Sequence, residues 1–228
     1  PVQFRREGGR RQARRGAGGL VTALVGLMGQ LDDAVWVCAA STEEDVAVAN
    51  EHKDRPIPVV VKGIPRILDD VDASRRTASS TASDTSETAS GTSDSTASGT
   101  DSPVLQIRMV ELDPAAQDDF YSVISNPLLW FIQHGLYDLT RSPNIGTRER
   151  DAFEHGYVTV NQAFADAVAH EVEERGGRAL VMLHDYHFYL VADLVRQRCP
   201  DVVLSHFIHI PWPGPDAWRV LPPNMREQ

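Results

Sequence analysis

Val181-Met182-Leu183-His184-Asp185-Tyr186-His187 and Ser205-His206-Phe207-Ile208-His209-Ile210-Pro211-Trp212-Pro213 decide the fold. Each is an apolar run that stops abruptly at ionisable side chains. Ala179 to Leu183 reads as a short, fully buried strand, and Val202 to Ile210 as the next β-branched run. Phe188 to Arg198, between them, has helical spacing. Leu190, Val191, Leu194 and Val195 share one face, Asp193, Arg196 and Arg198 lie off it, and Pro200 ends it. Strand, helix, strand in that span predicts a βαβ unit, with parallel strands and a right-handed crossover. His184-Asp185 and His209 then fall at the carboxyl edge of one sheet, the edge at which open α/β sheets bind ligands.

Working outward, Val160 to Glu174 is an amphipathic helix, since Val160, Phe164, Val168 and Val172 recur every four residues and Gly176-Gly177 supplies the stop. Pro114 to Leu129 is helical in part and leads into the apolar knot Leu128-Leu129-Trp130-Phe131. Leu20 to Leu31 carries leucines at helical spacing, whereas Ala34 to Ala39, Val59 to Lys62 and Val104 to Leu112 read as strands. Asp72 to Ser102 is almost purely Ser, Thr, Ala, Asp and Gly. Such a segment buries too little apolar area to offset its ordering entropy, which predicts a disordered insertion at about 72–102. The alternative for it is a phosphorylation or interaction tail.

The chain has 228 residues, 42% hydrophobic and 24% charged, enough for one sizeable core. A net charge of −10 argues against a general nucleic-acid role. No apolar run is long enough to span a membrane or to serve as a signal peptide. Cys38 and Cys199 lie far apart in apolar context and read as buried thiols, so the cytoplasm is the expected location. The chain opens at Pro1 without Met and closes at Gln228 just as a helix is starting, which reads as a piece of a longer protein.

Five sets of residues carry candidate chemistry. The Arg/Gly-rich segment 5–19 ends in Gly16-Ala17-Gly18-Gly19 before a helix. Glycines there let a backbone approach a ligand, and a helix N-terminus favours phosphate. The segment is neither a Walker A loop nor a GxGxxG fingerprint, and a mobile basic loop with a glycine turn explains it equally well. His184, His187, His206 and His209 invite a metal reading. Their spacing at strand ends does not converge, and no Cys or Glu completes a tetrahedral set, so no metal is expected. Asp185 suits a general base or an acceptor for sugar hydroxyls; the bland reading is that it caps the helix starting near Tyr186. His209 suits a hydroxyl or a phosphate, or is a satisfied core histidine. Trp130, with Tyr121 nine residues before it, suits a sugar wall, or Trp130 packs in the core beside Leu128 and Leu129.

Taken in order, the segments resemble the N-terminal half of the trehalose-6-phosphate synthases, the family 20 retaining glycosyltransferases. The resemblance rests on Gly18-Gly19-Leu20, on Tyr121 with Ser125-Asn126-Pro127-Leu128-Leu129-Trp130, and on Tyr157-Val158-Thr159-Val160-Asn161-Gln162-Ala163-Phe164-Ala165. It continues through His184-Asp185-Tyr186-His187, His209-Ile210-Pro211-Trp212-Pro213 and Leu221-Pro222, so it spans about residues 1 to 225 less the insertion.

The resemblance implies an α/β fold: the N-terminal, acceptor-side, Rossmann-like domain of a GT-B glycosyltransferase over residues 1–228, mostly parallel sheet with helices on both faces. The donor domain would lie beyond this chain. The implied reaction moves glucose from a nucleotide sugar to glucose 6-phosphate with retention, giving trehalose 6-phosphate. Gly18, Gly19 and His209 would bind the donor, Tyr121, Trp130 and Asp185 the acceptor, and Asp185 and His209 would serve catalysis. Nucleotide glucose and a sugar phosphate are the implied partners, with no metal, nucleic acid or membrane, and homo-oligomerisation is left open.

Where the family has Trp-Ser-Gly after its second strand, Val37-Cys38-Ala39-Ala40-Ser41 stands here, near the acceptor. The family's Asn-Arg pair, which contacts the acceptor phosphate, would precede Pro1. A glucosylglycerol-phosphate synthase, a pseudo-glycosyltransferase of the same fold and a non-catalytic sugar-phosphate-binding domain therefore stay open as alternatives. The nucleotide-binding domain of a dehydrogenase is disfavoured by the missing GxGxxG.

Overall fold

The computed structural model describes residues 2–16, 19–28, 31, 33–53, 55–60, 104–136 and 144–228. The expected insertion at about 72–102 and the end of the strand expected at Lys62 lie outside them. The described residues form three sheets: a two-stranded β1-β2, a three-stranded sheet in the order β3-β5-β4, and a two-stranded β6-β7. The chain divides into two compact units, Pro1–Trp36 with Ser41–Arg108, and Val37–Ala40 with Met109–Gln228.

In the first unit, β1 (Val2–Glu7) and β2 (Arg10–Arg15) form an antiparallel hairpin. Gly8 and Gly9 make its turn at φ 57° and 77°, a region that costs glycine nothing. The basic segment expected to be a loop is therefore mostly strand. Helix α1 (Gly19–Met28), α2 (Glu43–Glu51) and β4 (Ile57–Val60) follow, while β3 (Val35–Ala39), between α1 and α2 in the chain, has Val37–Ala39 in the second unit. Helix α2 starts at a capping box of Thr42 and Asp45. Asp45 is buried, and its carboxylate accepts from the N–H groups of Phe4 at 2.7 Å, Thr42 at 3.0 Å and Ser41 at 3.1 Å. One carboxylate thus ties β1 to the start of α2. On the outside, Arg6 and Arg11 pair with Glu44, and Arg11 also with Glu51. Strand β4 pairs antiparallel with β5 (Val104–Val110), burying Ile57, Val59, Leu105 and Ile107.

The second unit holds the helical core. Helix α3 (Pro114–Asp118), capped by Asp113, runs into wider π-helical turns over Asp119–Trp130 and then α4 (Phe131–Gln133). A second such run, α5 (Thr147–Ala152) followed by π-helical Phe153–Val158, leads into α6 (Thr159–Glu174). Gly156 lets these two segments touch, since a Cβ there would stand 2.6 Å from the Asp119 Cβ. Val160, Phe164 and Val172 of α6 are buried, as the four-residue spacing predicts. Gly176 and Gly177, at φ 80° and 81°, close the helix, with the Gly177 N–H donating to the Val172 carbonyl at 2.9 Å.

Strands β6 (Leu180–His184) and β7 (Val203–Phe207) are parallel, with His184 opposite Phe207. Between them come a 3₁₀ turn (Tyr186–Phe188) and α7 (Val191–Arg198), three residues shorter at its start than the spacing predicts. The expected βαβ unit is present. The expected mostly parallel sheet is not what the described strands form: β1–β2 and β4–β5 are antiparallel, so the sheets are mixed. Nor is β6 buried on both faces. Val181 and Leu183 point into the core, while Leu180, Met182, Val203 and Phe207 are exposed on the other face. A 3₁₀ turn over Pro215–Val220 and α8 (Pro223–Arg226) end the unit. Cys38 and Cys199 are buried thiols. No described helix is long and apolar enough to cross a membrane.

Candidate functional site

The parallel register brings the ends of β6 and β7 to one edge, and that edge builds the site. The Asp185 N–H donates to the Phe207 carbonyl at 2.8 Å, prolonging the ladder by one residue past β6. Asp185 then turns sharply, at φ 71° and ψ 173°, and is the single non-glycine with positive φ among the described residues. This part of backbone space is close to glycine-only and costs about 1–3 kcal/mol. Strain of that size persists where surrounding contacts impose it. Here they do: the His206 Nε2–H donates to the Asp185 carbonyl at 2.9 Å, and the Asp185 carboxylate accepts from the Tyr186 N–H at 3.2 Å. The carbonyl has only lone pairs, so His206 must carry its proton on Nε2. The capping expected of Asp185 is therefore real, but it engages one oxygen.

The turn after Asp185 is held from below by α6 and the π-helical segments. The Tyr157 hydroxyl donates to the Tyr186 carbonyl at 2.7 Å. Asn161, fully buried, donates to the Tyr157 carbonyl at 2.9 Å and the His187 carbonyl at 3.0 Å, and accepts from the Leu190 N–H at 3.2 Å. The Tyr186 hydroxyl donates to Asn126 Oδ1 at 2.7 Å, and the Tyr189 hydroxyl to Gln133 Oε1 at 2.8 Å. Burial and the nearby Asp185 charge push the Tyr186 phenol up to about 12, so it stays a donor at neutral pH.

The histidines do different jobs. His184 Nδ1 lies 3.1 Å from His209 Nε2, with the rings stacked at 5.3 Å. His206 holds the Asp185 backbone. His187 stacks on Tyr121 at 5.9 Å and on Tyr186 at 4.2 Å. Strand alternation was expected to send His206 and His209 to opposite faces; β7 ends at Phe207, so the rule stops applying before His209. Among the described residues no group of three or more His, Cys, Asp or Glu side chains is placed to hold a metal ion.

The sequence-predicted residues divide accordingly. Asp185 and His209 share the β6–β7 edge, and Tyr121, half-exposed, reaches it through His187. Trp130 is partly buried against the core and packs its ring on His134 at 4.0 Å. Gly19 opens α1 in the first unit, and Gly18 lies outside the described residues. Sequence reasoning missed His206, Tyr157, Asn161 and Gln133 as supports, because each acts across a long sequence separation. A cavity of about 330 Å³, lined by Leu128, Phe153, Tyr189, Trp212, Trp218 and Leu221 among others, lies beside the supports and takes in neither Asp185 nor His209. Its lining is mainly apolar, so we place the polar chemistry at the strand edge instead.

Several known proteins resemble this chain. It is 30% identical over 121 residues to the validamine 7-phosphate valienyltransferase of Streptomyces hygroscopicus subsp. jinggangensis, covering 53% of this chain and 24% of the relative. It is 33% identical over 107 residues to the trehalose-6-phosphate synthase of Enterobacter sp., covering 47% of this chain and 20% of the relative. The chain thus spans about a quarter or less of the length of these curated relatives. A solved trehalose-6-phosphate synthase, OtsA, matches with a TM-score of 0.54 at 20% identity, over 93% of this chain and 34% of the other. An E. coli structure described as bound with UDP-2-fluoro glucose matches with a TM-score of 0.51 at 22% identity, over 90% of this chain and 33% of the other. These two likenesses establish a shared α/β fold. The sequence profile described as Glycosyltransferase family 20 matches residues 3–228, so the chain belongs to glycosyltransferase family 20.

Proposed function

We propose that this chain is the acceptor-side, Rossmann-like half of a retaining GT-B glycosyltransferase that moves glucose from a nucleotide sugar to glucose 6-phosphate, giving trehalose 6-phosphate. The observation that carries the reading is Asp185: a carboxylate held in a strained backbone at the carboxyl edge of β6–β7, braced on both sides by hydrogen bonds. Strain maintained by so many supports suits a binding group whose direction matters.

In this reading the Asp185 carboxylate accepts from sugar hydroxyls, and His209 contacts the donor sugar near the reacting centre. Tyr121 gives its hydroxyl to the acceptor phosphate, and Trp130 shapes the acceptor pocket. Gly18 and Gly19 contact the nucleotide-sugar donor. Catalysis comes from positioning and from electrostatic stabilisation of an oxocarbenium-like state, with no metal required. A cytoplasmic location accords with two buried thiols.

A second reading is a pseudo-glycosyltransferase of the same fold. It is favoured by the valienyltransferase relative, which matches at 30% identity over 121 residues. The departure at Val37-Cys38-Ala39-Ala40-Ser41, in the segment assigned to the acceptor side, points the same way.

The test is a transfer assay on the full-length gene product that carries these residues. UDP-, GDP- and ADP-glucose are each offered glucose 6-phosphate, glycerol 3-phosphate or validamine 7-phosphate, and products are identified by mass. Trehalose 6-phosphate that disappears in Asp185→Ala supports the proposal. Product only with another acceptor moves the assignment to that acceptor, and no transfer from any nucleotide glucose overturns it.

A further inference from the structure

His184 ends β6 and is half-buried, whereas His209 stands exposed two residues beyond β7. Their nitrogens, Nδ1 of His184 and Nε2 of His209, are 3.1 Å apart. The Phe207 and His209 rings pack edge-on, with centroids 4.7 Å apart and planes at 62°. Two imidazole nitrogens can sit this close only if one carries a proton and the other a lone pair. Two protons would repel, and two lone pairs would leave nothing to bind.

We propose that His184 is a positioning residue for His209: it occupies Nε2 of that ring, so that Nδ1 is the nitrogen left to meet a hydroxyl of the donor hexose. The proposal rests on the reading of His209 as a donor-sugar ligand, and it adds a reason why His209, on an irregular segment, keeps one orientation.

The pairing has a second consequence. The groups facing His184 are His209 beyond β7, His206 on β7 and Asp185 in its own turn. Burial and then the two neighbouring histidines hold His184 below the ordinary histidine value, with Asp185 opposing them. One proton lies between the facing nitrogens, carried by Nδ1 of His184 or by Nε2 of His209. Acid breaks the contact only when both rings are cationic, because both facing nitrogens then carry protons.

The deciding experiment uses the full-length protein with nitrogen-15-labelled histidine, read by long-range nitrogen–proton spectra over a pH titration. His184 and His209 should titrate as a coupled pair, with the second proton taken up more than about one pH unit below the first. In His184→Asn, which keeps a polar atom where Nδ1 stood, and in His184→Leu, which does not, His209 should titrate alone. Independent titration of both rings in the unaltered protein, unchanged by either substitution, overturns the proposal.

The functional arm compares the same variants with UDP-glucose as donor. His184→Leu should raise KM for the donor by about tenfold, more than it lowers kcat, and His184→Asn should recover most of that loss. Equal losses in both variants would mean a packing role and overturn the positioning role. If the protein transfers no glucose at all, the coupled titration still decides the pairing, while the glycosyltransferase reading alone fails.

Discussion

The Tyr157 hydroxyl donates to the Tyr186 carbonyl at 2.7 Å and accepts from the Tyr189 N–H at 3.2 Å. A single buried side chain thereby bridges both ends of the turn that follows Asp185. Burial pushes the Tyr157 phenol above its ordinary value, so the hydroxyl stays protonated at neutral pH. Tyr157→Phe keeps the ring stacks with Phe120 and Phe153 and removes only the oxygen. It should cost about 1–3 kcal/mol, because a buried carbonyl and a buried N–H lose their partner. Urea unfolding measures the loss, and hydrogen exchange at the Tyr189 amide should accelerate.

Asp185 should trade stability against binding. Its φ of 71° is strained for Asp and free of strain for Gly. Asp185→Gly should therefore be more stable than Asp185→Ala by about 1–2 kcal/mol, since both lose the carboxylate and only alanine keeps the strain. On the proposed reading, neither variant should bind the sugar. Thermal unfolding of the two variants side by side checks the ordering, and equal stability would show that the backbone relaxes.

How much of this was legible follows the range of the contacts involved. The four-residue spacing of Val160, Phe164, Val168 and Val172 reports a local period, and α6 lies within a residue of its expected place. β6 also lies within a residue of its place, whereas α7 starts three residues late and β7 stops three residues early, which still leaves Asp185 and His209 at one edge. The β1–β2 hairpin escaped because arginine-rich strands carry no hydrophobic alternation; Gly8-Gly9 between two equal runs was the usable signal. The π-helical turns escaped because their period is not the one sequence patterns are read against. The buried faces expected for β6 were half wrong, since alternation is visible only once the neighbours are known. At the site, Asp185 could be placed at a strand end, but its positive φ and its brace from His206, 21 residues on, are properties of the folded chain.

Gly156 is required for space and not for backbone freedom. A Cβ would stand 2.6 Å from the Asp119 Cβ and 2.7 Å from the Phe120 backbone nitrogen. Neither atom is the loose end of a flexible side chain, so the two π-helical segments must part. Gly156→Ala should destabilise by about 1–3 kcal/mol or more, measured by urea unfolding. Exchange of the Phe120 amide should rise with it.

Asp45 gives the matching test in the first unit. Its carboxylate is almost inaccessible and accepts from three backbone N–H groups, those of Phe4, Ser41 and Thr42. Asp45→Ala orphans all three and removes half of the capping box. A loss of about 3 kcal/mol is expected, with Asp45→Asn in between because its amide keeps one acceptor oxygen. Exchange of the Phe4 amide reports the detachment of β1 from α2.

His187 sets an acid limit on the fold. Its ring is stacked on Tyr121 and Tyr186, and its Nε2 is buried without a hydrogen-bond partner. Burial lowers its pKa below the ordinary 6.5, and the Asp185 charge opposes this only in part. The folded state therefore takes up the proton at lower pH than the unfolded chain does. Between the two values the unfolded chain holds more protons, so stability rises with pH there. The contribution is fully present above about 6.5 and is lost as pH falls from there through the lowered folded value. His187→Phe keeps the aromatic contacts and removes the titration. Urea midpoints measured from neutral pH into acid should fall less steeply in His187→Phe than in the unaltered protein. Parallel curves would mean that the proton is taken up elsewhere.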